Sequence, residues 1–119
     1  MQSSAVWEEL LYHWSPTARR KQIIRRGLVP GSRSTNDRQW RPPYVCFADS
    51  PSLAWALSGE TERGQEFESW DLWMMWSSVV TEIEALPFDD DPEQIKEYRV
   101  YERIYKRHLW YVGSRENGT

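Results

Sequence analysis

The chain has 119 residues, of which 39% are hydrophobic and 28% charged, with a formal net charge of −3. That composition is globular and the length suits one domain over residues 1–119, able to bury a core without disulfides or metals. The single cysteine, Cys46, excludes a disulfide framework and fits a reducing compartment.

No stretch approaches the ~20 apolar residues needed to cross a membrane. Met1 to Val6 carries neither the charge nor the apolar run of a leader, so a soluble, cytoplasmic protein is expected. The charge is uneven. Residues 1–47 hold eight basic and three acidic side chains, and the remainder seven basic and fifteen acidic. A basic amino-terminal half suits phosphates, but the acidic balance overall opposes strong nucleic-acid binding. Eight tryptophans are present. Some are expected to fill the core and others to line a cleft for flat ligands.

In chain order, Leu10 to His13 reads as a strand. Ser15-Pro16 then predicts a helix start, with Ser as N-cap and Pro in the first turn. That helix runs to Arg26 and stops at Gly27. Ile23 and Ile24 form its buried edge, and Arg19, Arg20, Arg25 and Arg26 are solvated. A polar loop follows over 32–41. Tyr44 to Ala48 is a second strand, with Cys46 as a small buried hydrophobe. Ser50-Pro51 opens a second helix that Gly59 closes. After a polar loop, the apolar run 71–76 is a strand, and 82–86 another. The acidic residues 89–94 form a turn that lacks the spaced ligands of a calcium loop. Residues 97–104 alternate as a strand, with Tyr98 and Val100 facing away from Glu97 and Arg99. Residues 109–113 form a last strand, and the tail after Arg115 is frayed. Two short helices early and strands later make an α+β fold with a mostly antiparallel sheet. No zinc spacing and no phosphate-binding glycine loop occurs, so no metal is expected.

Three segments occur in a telling order: LLYHWSP…IIRRGLVPG, YVCFADSPSLAWAL and KEYRVYERI. Together, over roughly residues 10 to 112, they resemble the ADP-ribosyltransferase superfamily, in its poly(ADP-ribose) polymerase-like branch. The resemblance implies a split antiparallel sheet with two short helices, and NAD as co-substrate. His13 takes the place of the histidine that bonds the adenosine ribose. The backbone of Trp14 and the hydroxyl of Ser15 take the places that hold the nicotinamide amide. Glu97 takes the place of the catalytic glutamate. Tyr44, Phe47 and Trp55 are expected to line the same cleft. Asp91, in an Asp-Asp-Pro turn like that of the rifamycin-modifying members, is the reserve catalytic carboxylate.

The chemistry suits these residue types. Breaking the bond between ribose and nicotinamide builds a cation at the anomeric carbon, which a fixed carboxylate stabilises. Nicotinamide is a flat cation, so indole and phenol walls suit it. Two positions depart from the family. Cys46 stands where a tyrosine stacks on nicotinamide, and Trp14 stands where a glycine leaves the entrance open. Arginine-modifying relatives carry Glu or Gln where Ile95 stands, so that acceptor is disfavoured.

The implied activity is mono-ADP-ribosylation of a protein, nucleic-acid or small-molecule acceptor. A toxin, a phage-encoded host modifier or an antibiotic-inactivating enzyme would suit so compact a form. The alternative is a non-catalytic module of the same fold that binds a nucleotide or protein. RNA 2′-phosphotransferases share the fold but rely on an additional Arg and His pairing that is not evident here.

Overall fold

A computed structural model describes residues 8–31, 43–58, 68–87 and 96–116. The class is α+β. Among the described residues, two antiparallel three-stranded sheets carry two short helices. The first sheet has the order β1-β3-β6, from Leu10–Pro16, Ser69–Trp76 and Trp110–Glu116. The second has the order β2-β5-β4, from Val45–Phe47, Lys96–Val100 and Ile83–Pro87. Helix α1 is Arg20–Arg26 and helix α2 is Pro51–Ser58. No helix among the described residues is long and apolar enough to cross a membrane.

Alternation along the strands builds the core. Leu11, Trp73 and Met75 from the first sheet meet Val45, Phe47, Tyr98 and Val100 from the second, with Ile23, Leu28, Ile104 and Leu109 completing the cluster. The opposite face of the first sheet is covered by α2. There the Trp55 ring meets Trp14 and Trp70 edge-on, at centroid distances of 5.4 and 5.5 Å.

The two Ser-Pro pairs behave differently. Ser50 caps α2, its hydroxyl accepting the Leu53 N–H at 3.2 Å. Ser15-Pro16 instead ends β1, opposite Asp71 and Trp70, and a 3-10 turn over Thr17–Arg19 precedes α1. Proline tolerates this position because β1 lies at a sheet edge and its φ of −55° fits extended backbone. The predicted helix therefore starts several residues late. Two of its side chains also differ from expectation. Ile24 is exposed, while Arg20 reaches the sheet. The strand expected over 97–104 ends at Val100, because Ile104 leaves the ladder to pair with Leu28. Gly59 and the turn at 89–94 lie outside the described residues.

Gly27 ends α1 as expected, with φ of 80° and its N–H bonded to the Ile23 carbonyl at 2.7 Å. A Cβ there would collide with the Ile104 carbonyl oxygen. Gly27→Ala therefore combines left-handed strain of about 1–3 kcal/mol with overpacking of about 1–3 kcal/mol. A destabilisation of several kcal/mol in urea titration is expected, and a loss below about 1 kcal/mol would contradict this geometry.

Helix α1 is tied to the sheet by a wholly buried carboxylate. Asp71, at 0% exposure, accepts from Thr17 at 2.8 Å, Arg20 at 2.8 and 2.9 Å, and Ser114 at 2.7 Å. Burial pushes this carboxyl up, but the bonds from Arg20, Ser114 and Thr17 together with the Arg20 charge outweigh it and hold it below the usual range. Its contribution to stability is thus present above the ordinary Asp value of about 3.9 and is lost as pH falls through the lowered one. Asp71→Asn should cost about 2–4 kcal/mol near neutrality, less than a wholly buried pair because Arg20 is partly solvated. It should also flatten the fall in Tm between about pH 5 and pH 2. An unchanged acid limb in the variant would show that Asp71 does not drive it.

Candidate active site

The residues singled out by sequence divide between the two faces of the first sheet. His13 aligns with Trp73 and Ser15 with Asp71, so both face the core side. Ser15 is buried there, within the sheet. Trp14 aligns with Leu72 and faces α2, where its Nε1 donates to the Pro51 carbonyl at 2.9 Å. Its indole is thereby directed away from the His13 side rather than across it. Trp55 lies on the α2 face with Trp14.

His13 and Glu97 converge on one residue, Cys46. His13 Nδ1 lies 2.7 Å from the Cys46 carbonyl oxygen. A carbonyl only accepts, so Nδ1 carries the proton and the tautomer is set. The imidazole also leans on Phe47, at 5.3 Å between ring centres. Phe47 itself is wholly buried in the core. On the outer face of β2 the Cys46 thiol donates to Glu97 Oε2 at 3.0 Å. His13 and Glu97 do not lie on adjacent strands: β2 stands between β1 and β5, reached from β1 through the Tyr12–Ala48 bridge.

Cys46 is half-buried and polar in its bonding, not the inert core filler its apolar neighbours suggest. Val45 and Phe47 point inward, so alternation turns Cys46 outward. Burial, followed by the bond to Glu97 and that carboxylate's charge, pushes the thiol far above its ordinary range. It is a hydrogen-bond donor and not a nucleophile.

Glu97 has a second partner that sequence reasoning missed. Arg99, two residues on and hence on the same strand face, places its Nη2 3.2 Å from Glu97 Oε1. The guanidinium lies over the Tyr44 ring at 4.4 Å, and Tyr44 meets Tyr101 edge-on at 5.8 Å. The Glu97 bond, countered by burial and aided by the Glu97 charge, raises the Arg99 guanidinium further above its usual range. Arg99 Nε is buried without a hydrogen-bond partner. The i, i+2 spacing of Glu97 and Arg99 was the available signal. The Glu97 side chain keeps 15% of its surface exposed, so this carboxylate is held by two donors and is largely covered. Asp91 lies outside the described residues.

No protein-family model matches the chain, and neither a curated protein nor a solved structure matches it.

The bonding of Cys46 has a direct readout. Iodoacetamide at pH 8 should alkylate the folded protein at least about tenfold more slowly than the chain in denaturant, because the thiolate is suppressed. Glu97→Gln removes the adjacent negative charge and should speed the folded-state reaction. Equal folded and unfolded rates would mean that the thiol is not held in this way.

Proposed function

We propose that the protein is an NAD-dependent mono-ADP-ribosyltransferase in which Glu97 is the catalytic carboxylate and His13 binds the adenosine ribose. The observation that carries this reading is the anchoring of both residues on Cys46, through its carbonyl oxygen and its thiol. That arrangement joins the first and third of the three sequence segments through the second, the order on which the family resemblance rests.

The chemistry asked of Glu97 is electrostatic. Nicotinamide departure leaves positive charge on the ribose, and a carboxylate already held by its donors stabilises that charge without reorganising. His13, with its tautomer set by the Cys46 carbonyl, is presented in one orientation for a sugar hydroxyl. Tyr44, with Arg99 laid across it, is on this reading the aromatic side chain that stands in for the ring missing at Cys46. The orientation of Trp14 toward α2 removes the bulk that its sequence position suggests in the entrance.

One observation favours a second reading. Arg99 partly neutralises Glu97, and a paired carboxylate opposes a developing cation less strongly. A binding module of the same fold, holding a nucleotide without turning it over, accommodates that pairing.

The test separates the two. Wild type, His13→Ala and Glu97→Gln are incubated with NAD and candidate acceptors, while binding is followed by the shift in Tm and turnover by free nicotinamide. The transferase reading expects His13→Ala to weaken binding about fivefold or more, through one lost hydrogen bond. It expects Glu97→Gln to retain binding and to lose about 100-fold in nicotinamide release. NAD binding with background release from wild type and variant alike supports the binding module. Activity that survives Glu97→Gln but fails in Asp91→Asn moves the catalytic carboxylate to the acidic turn. No NAD-dependent change in Tm overturns both readings.

A further inference from the structure

Basic side chains from two distant stretches of sequence meet on one surface. Helix α1 ends in Arg25 and Arg26, and Gly27 turns the chain so that Leu28 pairs with Ile104. That bridge lays residues 103–108 against the end of α1, where Arg103 Nε donates to the Arg26 carbonyl at 2.8 Å. Arg25, Arg26, Arg103, Lys106 and Arg107 are all exposed. The two side-chain ion pairs among the described residues, Arg20–Asp71 and Arg99–Glu97, involve none of them. Glu102, the acid adjacent in sequence, is committed to the N–H groups of Thr81 and Glu82 at 2.8 and 2.6 Å.

An ordinary role explains part of this cluster. Arg25 and Arg26 oppose the negative end of the α1 dipole. It does not explain Arg103, Lys106 and Arg107, which lie on a separate segment. Nor does it explain Tyr105 among them, 44% exposed, with the Arg103 and Arg107 guanidinium groups 4.6 and 4.9 Å from its ring centre. Holding like charges together on the surface of an acidic protein is unfavourable unless an anion is to be met.

We propose that this surface binds single-stranded nucleic acid. Five cations supply phosphate contacts. Tyr105 and the guanidinium planes beside it supply flat faces for unstacked bases, which an acidic peptide would not need. Duplex grooves are a poor match, because the patch is built from a 3-10 turn and one end of a seven-residue helix that is packed against the core. The proposal does not rest on the reading of Glu97, and NAD plays no part in its test.

The experiment measures fluorescence anisotropy of labelled RNA and DNA single strands of about 12 nucleotides, a length in the usual site range. A duplex of the same sequence and polyglutamate of matched charge serve as competitors. Single strands should bind at low salt, with log K falling against log salt by about 2 to 3.5 for three to five phosphates. The double variant Lys106→Glu, Arg107→Glu should lose at least about tenfold in affinity and flatten that slope. Tyr105→Ala should lose about fivefold or more through stacking. All three side chains are exposed, so the variants should keep the wild-type Tm, and that measurement accompanies each affinity. Binding of either RNA or DNA supports the proposal, and the tighter of the two names the polymer. No binding at low salt overturns it, as does wild-type affinity in the double variant. Tighter binding of the duplex, or polyglutamate competing as well as the single strand, also overturns it, the latter in favour of an acidic protein partner.

Discussion

Two backbone hydrogen bonds between Tyr12 and Ala48, at 2.7 and 3.0 Å, join the two sheets. The β1-β3-β6 and β2-β5-β4 ladders share no strand, and this bridge seats β1 beside the end of β2. From that seating the next residue, His13, comes within reach of the Cys46 carbonyl. The outer side of the same strand then carries the Cys46 thiol to Glu97. The bridge acts together with the His13–Cys46 bond and with the Tyr98 hydroxyl that donates to Glu9, whereas the apolar contacts between the sheets have no directional preference. The polar geometry around Cys46 therefore depends on these directional bonds rather than on the apolar contacts.

The first sheet is held to α1 in a contrasting way. Asp71 stands in a strand whose other residues are mostly buried apolar side chains, yet it carries a charge into the interior. Such a group is tolerated only when its oxygens are filled. Thr17 and Arg20 supply donors from the turn and helix that follow β1, and Ser114 supplies one from β6. Tyr111 adds a short hydroxyl contact to Ser114 and lies under the Arg20 guanidinium. The network orients the start of α1 on the sheet, which in turn sets where its basic C-terminus emerges. Because Arg20 is partly solvated, the cost of burying Asp71 is met by its four donated hydrogen bonds rather than by a fully desolvated ion pair.

The outer face of β2 and β5 carries a small polar group around Cys46. The cysteine thiol is short enough to sit between β2 and Glu97 and donates a hydrogen bond to that carboxylate. Arg99 fills the flank and rests on Tyr44. The result is a carboxylate with one neutral and one charged donor. On the opposite side of the molecule's first sheet, Arg115 lies over Trp55 at 3.9 Å and completes the aromatic group of Trp14, Trp55 and Trp70. Trp70 and Trp73 fill the interior as expected, and on α2's face Trp14, Trp55 and Trp70 pack with one another instead of with His13.

Local physics was legible in the sequence. The alternation of Glu97 to Val100, the stop at Gly27, the cap at Ser50 and the α+β class all follow from interactions within a few residues, namely pleat, positive φ and side-chain capping. The expectation that His13 and Glu97 share a site came only through family resemblance, and the structure bonds each of them to Cys46 rather than to the other. What needed the tertiary structure was every choice settled by a remote partner. Ser15-Pro16 carries the same local signal as Ser50-Pro51, but β3 pairs with it and keeps it in a strand. Ile104 lies beyond the end of β5 and exchanges both backbone hydrogen bonds with Leu28 instead. Arg20 is drawn to Asp71, and Arg25 and Arg26 are brought beside Arg103 and Arg107, across separations that no local pattern records. Hydrogen-bond register between strands is a long-range property, so the partners of a side chain are decided only when the sheets close.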